Sequence, residues 1–160
     1  MMIFTIGYEG MDIFGFFSLL RKHEIETLVD VRELPLSRKP GFSKKALSNA
    51  VGLCGLDYIH FPDLGCPKTI RNRLREDGNW PRYKQGFLKH LDTQGAAVAD
   101  LAKMANNANC ALLCFEADPN YCHRSMVADA VVRLGSLRVC HILSAELKTV
   151  RSEGLVLVVA

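Results

Sequence analysis

The amino-acid sequence predicts an α/β protein: a single-domain three-layer αβα sandwich with a mainly parallel sheet and a basic helical insertion. Short apolar runs rich in β-branched residues alternate with segments of helical periodicity, which is the pattern of βαβ units. The chain has 160 residues, of which 49% are hydrophobic, and this size suits one domain over residues 1–160. The net charge is only +3, so an intrinsically disordered chain is excluded.

The first half of the chain predicts three strands that alternate with two helices. Apolar side chains three and four residues apart, among them Phe16 and Leu20, indicate the first helix. Ser43 stands where a side chain can cap the second helix, and Gly55 follows the end of that helix. Two prolines and a glycine make residues 34–42 a loop. The predicted segments are strand 2–6, helix 11–23, strand 27–31, helix 44–54 and strand 58–61.

The second half predicts a basic insertion and then further strands. Residues 62–91 are long and polar for a simple connection, so they are interpreted as an insertion or lid that contains two helices. The wholly apolar run 110–115 predicts a central strand that is covered on both faces. The predicted segments are helix 69–75, helix 83–91, helix 96–105, strand 110–115, helix 121–134, strand 137–143 and a sixth strand over 155–159.

Positive charge is concentrated in the middle of the chain. Residues 32–89 hold 12 Lys and Arg against 5 Asp and Glu, a net charge of +7, whereas the rest of the chain has a net charge of −4. This asymmetry indicates an anionic ligand. The alternative is a solvated basic face with no ligand.

Unusual polar segments follow several of the predicted strands. In a parallel sheet, ligands bind beyond the carboxyl ends of the strands, and these ends share one edge. The segments that meet there are 7–10, 30–38, 60–68, 116–124 and the turn after Leu143. We therefore expect one pocket at this edge.

Four residues are candidates for catalysis: Glu116, Cys122, His123 and Glu9. Cys122 and His123 stand at the start of a predicted helix, where the helix dipole lowers the pKa of a thiol. Glu116 and Glu9 can act as general acids or bases if they face the pocket. Structural roles are the alternatives. Cys122 shares an apolar helix face with Met126, and His123 fits a hydrogen-bonded core histidine. Glu9 can instead stabilise a helix N-terminus.

Eight residues are candidates for ligand binding. Arg124 suits a bidentate contact with an oxyanion, and Ser37 pairs a hydroxyl with the neighbouring base Arg38. Asp30 and Arg32 leave the second strand on the same face. Either Asp30 orients Arg32 towards an anion, or the two residues only order the loop as an ion pair. The complete set is Gly7, Tyr8, Asp30, Arg32, Ser37, Arg38, His60 and Arg124.

The cysteines and histidines lack the spacing of a metal site. The six cysteines contain no CxxC pair. His60, His123, Glu116 and Cys122 can together bind zinc or iron, but they come from separate loops, so no metal ligand is assigned and the cofactor stays unspecified. The N-terminus has no basic leader and the apolar run 13–20 is too short to span a bilayer. We expect a cytoplasmic protein with reduced thiols and no membrane partner.

Four short motifs at the candidate pocket form a recognisable set. They are Thr5-Ile6-Gly7-Tyr8, Asp30-Val31-Arg32-x-x-Pro35-x-Ser37-Arg38, Tyr58-x-His60 with Leu64-Gly65, and Leu113-Cys114-x-Glu116-x-x-Pro119-x-x-Cys122-His123-Arg124. The set resembles the domain of unknown function 488 (DUF488) family of small bacterial and archaeal proteins. The resemblance implies a compact α/β fold with a shared polar pocket, and it implies no reaction. Glu9 stands where a small hydroxyl residue is common and Cys66 where a second glycine is common, so ligand details are expected to differ from those of relatives.

Two functions from different classes remain open. The first is an enzyme or ligand-binding protein for a phosphorylated or nucleotide-like anion, which ranks first because the motifs lie at separate strand ends, as in a pocket. The alternative is a nucleic-acid-binding module that uses the basic region 32–89, although the sequence pI of 8.6 is below that of a strongly basic domain. A redox- or metal-responsive protein, based on Cys114, Cys122 and His123, ranks third. The sequence does not indicate an oligomeric state.

Overall fold

The computed structural model describes residues 1–148, and the sixth strand predicted at 155–159 lies outside them. The described elements are β1 (Met2–Gly7), α1 (Ile13–Lys22), β2 (Thr27–Asp30), α2 (Lys44–Leu53), β3 (Asp57–His60), α3 (Lys68–Asp77), α4 (Trp80–Asp92), α5 (Gly95–Ala105), β4 (Cys110–Cys114), α6 (His123–Arg133) and β5 (Arg138–Ile142). The strands form one sheet in the order β3-β2-β4-β1-β5. All four strand pairings are parallel, so the predicted α/β class is confirmed.

The register brings the carboxyl ends of the strands together at one edge of the sheet. The last residue of β1, Gly7, lies opposite Cys114, the last residue of β4. Asp30 at the end of β2 lies opposite Leu113 on one side and His60 on the other. The segments that follow β1, β2 and β4 therefore start next to one another, as expected for a site at this edge.

The sheet separates two apolar clusters, as alternation along a strand requires. In β4, Cys110 and Leu112 belong to one cluster, whereas Ala111 and Leu113 belong to the other. All five residues of β4 are buried, which confirms the prediction of a central strand covered on both faces. Buried residues of α4, α5 and α6 pack into the first cluster, and those of α1 and α2 pack into the second.

The starts of two helices, α6 and α2, differ in detail from the sequence expectation. Helix α6 starts at His123 rather than at 121, because residues Pro119–Tyr121 form a 3-10 turn and Cys122 takes the N-cap position. Ser43 does occupy the N-cap position of α2, but its side chain does not bond to the first turn of that helix. Its hydroxyl instead accepts from the Ser37 N–H at 3.1 Å and donates to the Ser37 carbonyl at 3.0 Å. Ser43 therefore orders the loop after β2.

The predicted insertion contains the two helices α3 and α4. Helix α4 contributes Tyr83, Phe87 and Leu91 to the same apolar cluster as α5 and α6. No residue of α3 is fully buried, and this helix packs against α4. Residues 62–91 thus include part of one helical layer, and whether α3 acts as a lid stays a prediction. In the described part of the chain, no helix is both long and apolar enough to cross a membrane.

Candidate functional site

A cavity of about 750 Å³ opens at the edge of the sheet where β1, β2 and β4 end. Its walls come from the segment after β2, the helix α3 and the segment after β4. Six residues that the sequence analysis proposed for the site line this cavity together. They are Tyr8, Arg32, Ser37, Arg38, Glu116 and His123.

The other six proposed residues are outside the lining of this cavity. Three of them, Gly7, Asp30 and Cys122, are buried directly behind lining residues. Arg124 is fully buried, whereas Glu9 is exposed and His60 is half-buried. The cavity thus lies at the edge where the sequence predicted a pocket, and half of the named side chains contribute to its surface.

Two thiols, an imidazole and a carboxylate meet at the base of the cavity. Glu116 Oε2 lies 3.0 Å from Cys114 Sγ and 3.2 Å from Cys122 Sγ. Nδ1 of His123 lies 3.6 Å from Cys114 Sγ and 3.9 Å from Cys122 Sγ. We call Cys114, Cys122 and His123 the Cys–His cluster, and their donor atoms all lie within 4.8 Å of one another. Thiolate and imidazole are ligands for soft divalent metals, so these residues can hold such an ion.

The Cys–His cluster is electrostatically polarised. Burial opposes ionisation of Cys122, but hydrogen bonds from Cys114 and His123 and the charges of His123 and Arg124 outweigh it, so the pKa of Cys122 lies well below the ordinary thiol value. The hydrogen bond to Cys122, together with burial, raises the pKa of Cys114. Burial and the charge of Cys122 also raise the pKa of Glu116. One thiolate and one thiol therefore share a single carboxyl group.

The backbone of β2 holds the His123 ring in position. Burial disfavours the charged imidazole, but the bonds to Cys122 and Val31 prevail and raise the pKa of His123. Nε2 of His123 lies 2.7 Å from the Val31 carbonyl oxygen, to which it donates. Phe87 packs edge-on against the ring at 5.2 Å between centroids. These contacts direct Nδ1 towards the two sulfur atoms.

Asp30 and Arg32 form a buried ion pair beside the cavity. Arg32 donates to both carboxylate oxygens of Asp30, at 2.8 Å from Nε and 2.6 Å from Nη2. Its Nη1 donates to the Tyr8 hydroxyl at 3.1 Å and to the Phe42 carbonyl at 2.9 Å. Tyr58 also donates to Asp30, at 2.5 Å. Most guanidinium donors of Arg32 are thus engaged within the protein, which favours the loop-ordering interpretation of this pair.

Arg124 holds the connection between β4 and α6. Its side chain is 0% exposed. Nη1 donates to the Glu116 carbonyl, and Nη2 donates to the Ala117 carbonyl at 3.1 Å. Nε donates to the Thr5 hydroxyl at 3.3 Å. In this arrangement Arg124 positions Glu116 through its backbone and does not face the cavity.

Gly7 and Glu9 hold the same connection from the β1 side. A Cβ atom at Gly7 would overlap the carbonyl group of Glu116, so only glycine allows this close approach. The Glu9 carboxylate accepts from the Ala117 N–H at 2.8 Å. Both residues therefore position the chain at Glu116.

Ser37 and His60 belong to the network around the loop after β2. Ser37 lines the cavity, and its hydroxyl accepts from the Lys39 N–H at 3.1 Å. Nε2 of His60 donates to the Arg32 carbonyl at 2.8 Å, and Nδ1 lies 3.1 Å from Lys44 Nζ. His60 ends β3, the edge strand next to β2, so it lies apart from the Cys–His cluster.

Several cavity residues were not among the candidate site residues. Arg71 and Arg75 on α3 line the cavity, together with Cys66 and Tyr83. Burial raises the pKa of Cys66 to about 11, so this thiol is neutral, unlike Cys122. The available signal for Cys66 was its place in segment 60–68, which was expected at the pocket. Gly65 in this segment packs against the loop after β2, because a Cβ atom there would overlap the backbone of Glu33.

Residues 12–131 match the model of the protein family described as Domain of unknown function DUF488. The chain belongs to the DUF488 family. No curated protein and no solved structure matched the chain. The DUF488 match includes the loop after β2, helices α3 and α4, and the connection from β4 to α6. It starts after β1, so Tyr8 and Glu9 precede the matched residues.

Proposed function

We propose that this DUF488 protein binds a small anionic ligand, phosphorylated or nucleotide-like, in the cavity at the carboxyl ends of the strands. The observation that carries the proposal is a set of basic side chains from two walls of the cavity, the segment after β2 and helix α3. They are Arg38, Lys39, Arg71 and Arg75.

The charge balance of the cavity favours an anion. Arg32 is neutralised by Asp30, and Arg71 donates to Glu33 at 2.5 Å. Among the described residues, neither Arg38 nor Arg75 forms an ion pair. Two guanidinium groups are therefore available for phosphate or carboxylate oxygens, which they can contact bidentately.

The aromatic residues of the cavity fit a ligand that carries a ring. Tyr121 lines the cavity and is 62% exposed, and its ring tilts against Trp80 at 5.4 Å. Exposed aromatic rings provide stacking surfaces for nucleobases. This supports a nucleotide-like ligand over a free phosphate ion.

Proton transfer is the chemistry that the base of the cavity can supply. Glu116 and His123 both line the cavity, and both have raised pKa values for the reasons given above. A carboxyl group with a raised pKa can hold a proton near neutral pH and act as a general acid. Cys122 is 2% exposed and lies behind the lining, so we assign it a role inside the Cys–His cluster rather than direct attack on the ligand.

A nucleic-acid-binding function is the second candidate. Helices α3 and α4 present exposed basic side chains outside the cavity, including Lys68, Lys84 and Lys89. Such a surface suits a phosphate backbone, and its affinity for DNA or RNA would fall steeply with salt through counterion release. The cavity ranks first because its basic residues converge on a concave site.

Thermal unfolding with added ligands tests the proposed function. The ligands are mononucleotides, sugar phosphates, and short DNA and RNA strands. A small phosphate compound at 100 times its Kd is expected to stabilise the protein by about 2.7 kcal/mol. Arg38→Ala and Arg75→Ala should each raise the Kd about tenfold or more, because a hydrogen bond to a charged group is lost.

The matched control is Arg133→Ala. Arg133 is exposed in the last turn of α6, whereas the cavity lies at the other end of this helix. This variant should bind like the unmodified protein. Binding of small phosphates that is unchanged in both cavity variants contradicts the proposal. Stabilisation by DNA or RNA alone, lost in Lys84→Ala with Lys89→Ala, would favour the second candidate.

A further inference from the structure

We propose that Cys114, Cys122 and His123 bind a zinc-class divalent ion through Sγ, Sγ and Nδ1, with a fourth coordination position next to Glu116 and the cavity. This inference goes beyond the anionic ligand, because it concerns a metal that the protein binds without that ligand. From the sequence, a metal-responsive protein based on these three residues was only the third-ranked hypothesis, and no metal ligand was assigned, because their spacing along the chain is not diagnostic.

The two nitrogen–sulfur distances within the Cys–His cluster match tetrahedral coordination. Zinc–sulfur bonds of about 2.3 Å and zinc–nitrogen bonds of about 2.0–2.1 Å place neighbouring donor atoms about 3.5–3.8 Å apart in a tetrahedron. His123 Nδ1 lies 3.6 Å from Cys114 Sγ and 3.9 Å from Cys122 Sγ. An ion can therefore be accommodated with shifts of a few tenths of an ångström at most for these pairs.

The residues around the cluster orient its ligands. A histidine that binds a metal commonly donates its other ring nitrogen to a carbonyl or carboxylate, which fixes the ring. Nε2 of His123 makes such a bond with the Val31 carbonyl at 2.7 Å, so Nδ1 is the nitrogen directed at the thiols. Cys114 ends a buried central strand, and Cys122 caps helix α6. The ligands thus come from rigid elements.

The proposed metal site has three protein ligands and a fourth coordination position next to Glu116. Three protein ligands with a free fourth position are typical of catalytic zinc, whereas structural zinc has four protein ligands. Glu116 Oε2, at 3.0 Å and 3.2 Å from the two sulfur atoms, is placed to take the fourth position or to bond to a water molecule there. Both Glu116 and His123 line the cavity, so the fourth position is reachable from it.

The same residues also permit a different reaction. Two cysteines of which one is a thiolate can form a disulfide with an oxidant such as hydrogen peroxide. In that reaction two thiols lose two electrons and two protons, and peroxide is reduced to water. A pair that only forms a disulfide does not need His123, whereas the metal site does. The histidine directed at both sulfur atoms therefore favours the metal.

Cobalt titration of the full chain tests the metal site. The reduced protein is freed of metal with a chelator and titrated with Co²⁺, then with Zn²⁺, in the absence of any other ligand. We expect one Co²⁺ per chain, with visible absorption of tetrahedral cobalt and sulfur-to-cobalt charge transfer, both removed by Zn²⁺. Cys122→Ser and His123→Asn should lower the metal affinity by at least about 100-fold.

Cys66→Ser is the matched control, because Cys66 is a buried thiol that lines the cavity outside the Cys–His cluster. This variant should keep the cobalt spectrum. A second measurement needs no variant: Zn²⁺ should protect Cys114 and Cys122 from alkylation in the unmodified protein, as mapped by mass spectrometry, and leave exposed Cys54 reactive.

Two results would overturn the metal site. One is that the reduced protein binds neither Co²⁺ nor Zn²⁺ and only forms a Cys114–Cys122 disulfide when it is treated with hydrogen peroxide. The other is a cobalt spectrum that survives loss of Cys122. Neither result bears on the proposed anionic ligand, because that proposal is tested separately with the Arg38→Ala and Arg75→Ala variants.

Discussion

The ion pair of Asp30 and Arg32 shows how much of this protein's polar chemistry is buried. Asp30 is 0% exposed and Arg32 is 6% exposed. The pair survives burial because Tyr8 and Tyr58 complete its hydrogen bonds. Arg32 also donates to the Phe42 carbonyl, so the ion pair fixes the position of the loop after β2 beside the cavity. Arg32 itself also lines the cavity.

Replacement of Asp30 with asparagine should destabilise the protein strongly. Asp30→Asn keeps the side-chain shape but leaves the Arg32 charge buried without its partner, which costs about 3–5 kcal/mol. Urea unfolding followed by circular dichroism measures this loss. Asp57→Asn, at an exposed position in β3, is the control and should change the free energy of unfolding by less than about 0.5 kcal/mol. Equal stability of the two variants contradicts the structural role of the pair.

Cys122 and Cys66 should differ in ionisation at neutral pH. The pKa of Cys122 is lowered, so its thiolate is retained as the pH falls below the ordinary thiol pKa of 9.0. The thiolate disappears only when the pH falls below the lowered pKa. The pKa of Cys66 is raised to about 11, so it stays a thiol. Ultraviolet absorption of the thiolate in metal-free protein at pH 7 should be lost in Cys122→Ser and kept in Cys66→Ser. The reverse result would contradict this assignment.

The connection from β4 to α6 is the element on which the site depends. It carries Cys114, Glu116, Cys122 and His123, and it crosses the end of β1 at Gly7. A strand followed by a helix N-terminus is a common frame for anion and nucleophile sites, because unpaired N–H groups point outwards there. Here the N-cap residue is itself a member of the Cys–His cluster.

Adding a methyl group to Gly7 should disturb this connection. Gly7→Ala places a Cβ atom into the Glu116 carbonyl, and such overpacking costs at least about 1–3 kcal/mol. The free energy of unfolding and the cobalt affinity should both fall. Gly52→Ala, in helix α2 with no atom within 4 Å of the added Cβ, is the control. It should be neutral or stabilise the protein by about 0.5–1 kcal/mol. A Gly7→Ala variant as stable as this control would contradict the close approach.

The molecule combines two apolar faces of a parallel sheet with one polar edge. Most of the folding free energy comes from the apolar clusters on the two faces of the sheet. The polar edge can therefore hold buried charges and thiols whose net contribution to the folding free energy is small. Several of these groups, and others in the core, keep their protons to higher pH than in an unfolded chain. The free energy of unfolding therefore depends on pH in the alkaline range.

The protein should lose stability steadily as the pH rises above about 9. Burial raises the pKa of Cys66 and of Cys110 to about 11, from the ordinary 9.0. Burial also raises the pKa values of Tyr58 and Tyr83. The unfolded chain releases these protons first, so each group lowers the free energy of unfolding by up to about 1.4 kcal/mol per pH unit within its window.

Urea unfolding at several values between pH 9 and 11, the ordinary and the raised thiol pKa, measures this loss. The contribution of Cys122 to the free energy of unfolding has the opposite sign. Because the pKa of Cys122 is lowered, this contribution grows as the pH rises towards the ordinary thiol pKa. That contribution is complete above the ordinary value. A free energy of unfolding that stays constant across this interval contradicts the expectation.

The order of the elements and the edge that carries the cavity were predictable from local patterns. Apolar periodicity identified the strands and helices, since each pattern reflects which neighbouring side chains face the core. The segments 30–38 and 116–124 were placed at the site because parallel strands end at a common edge. The start of α6 was predicted two residues too early. Residues Pro119–Tyr121 form a 3-10 turn instead, in which the Asp118 side chain accepts from the Asn120 N–H.

Only the tertiary structure decided which side chains meet. Cys114, Cys122 and His123 were grouped only in the third-ranked hypothesis, and the fold brings their donor atoms within 4.8 Å of one another. His60 was expected near them, but the strand order puts β3 at the edge of the sheet and β4 in its centre. Arg124 turns inward to the loop that it supports. Periodicity describes which face a residue occupies, whereas contact between distant residues depends on strand order and loop path, which local patterns do not encode.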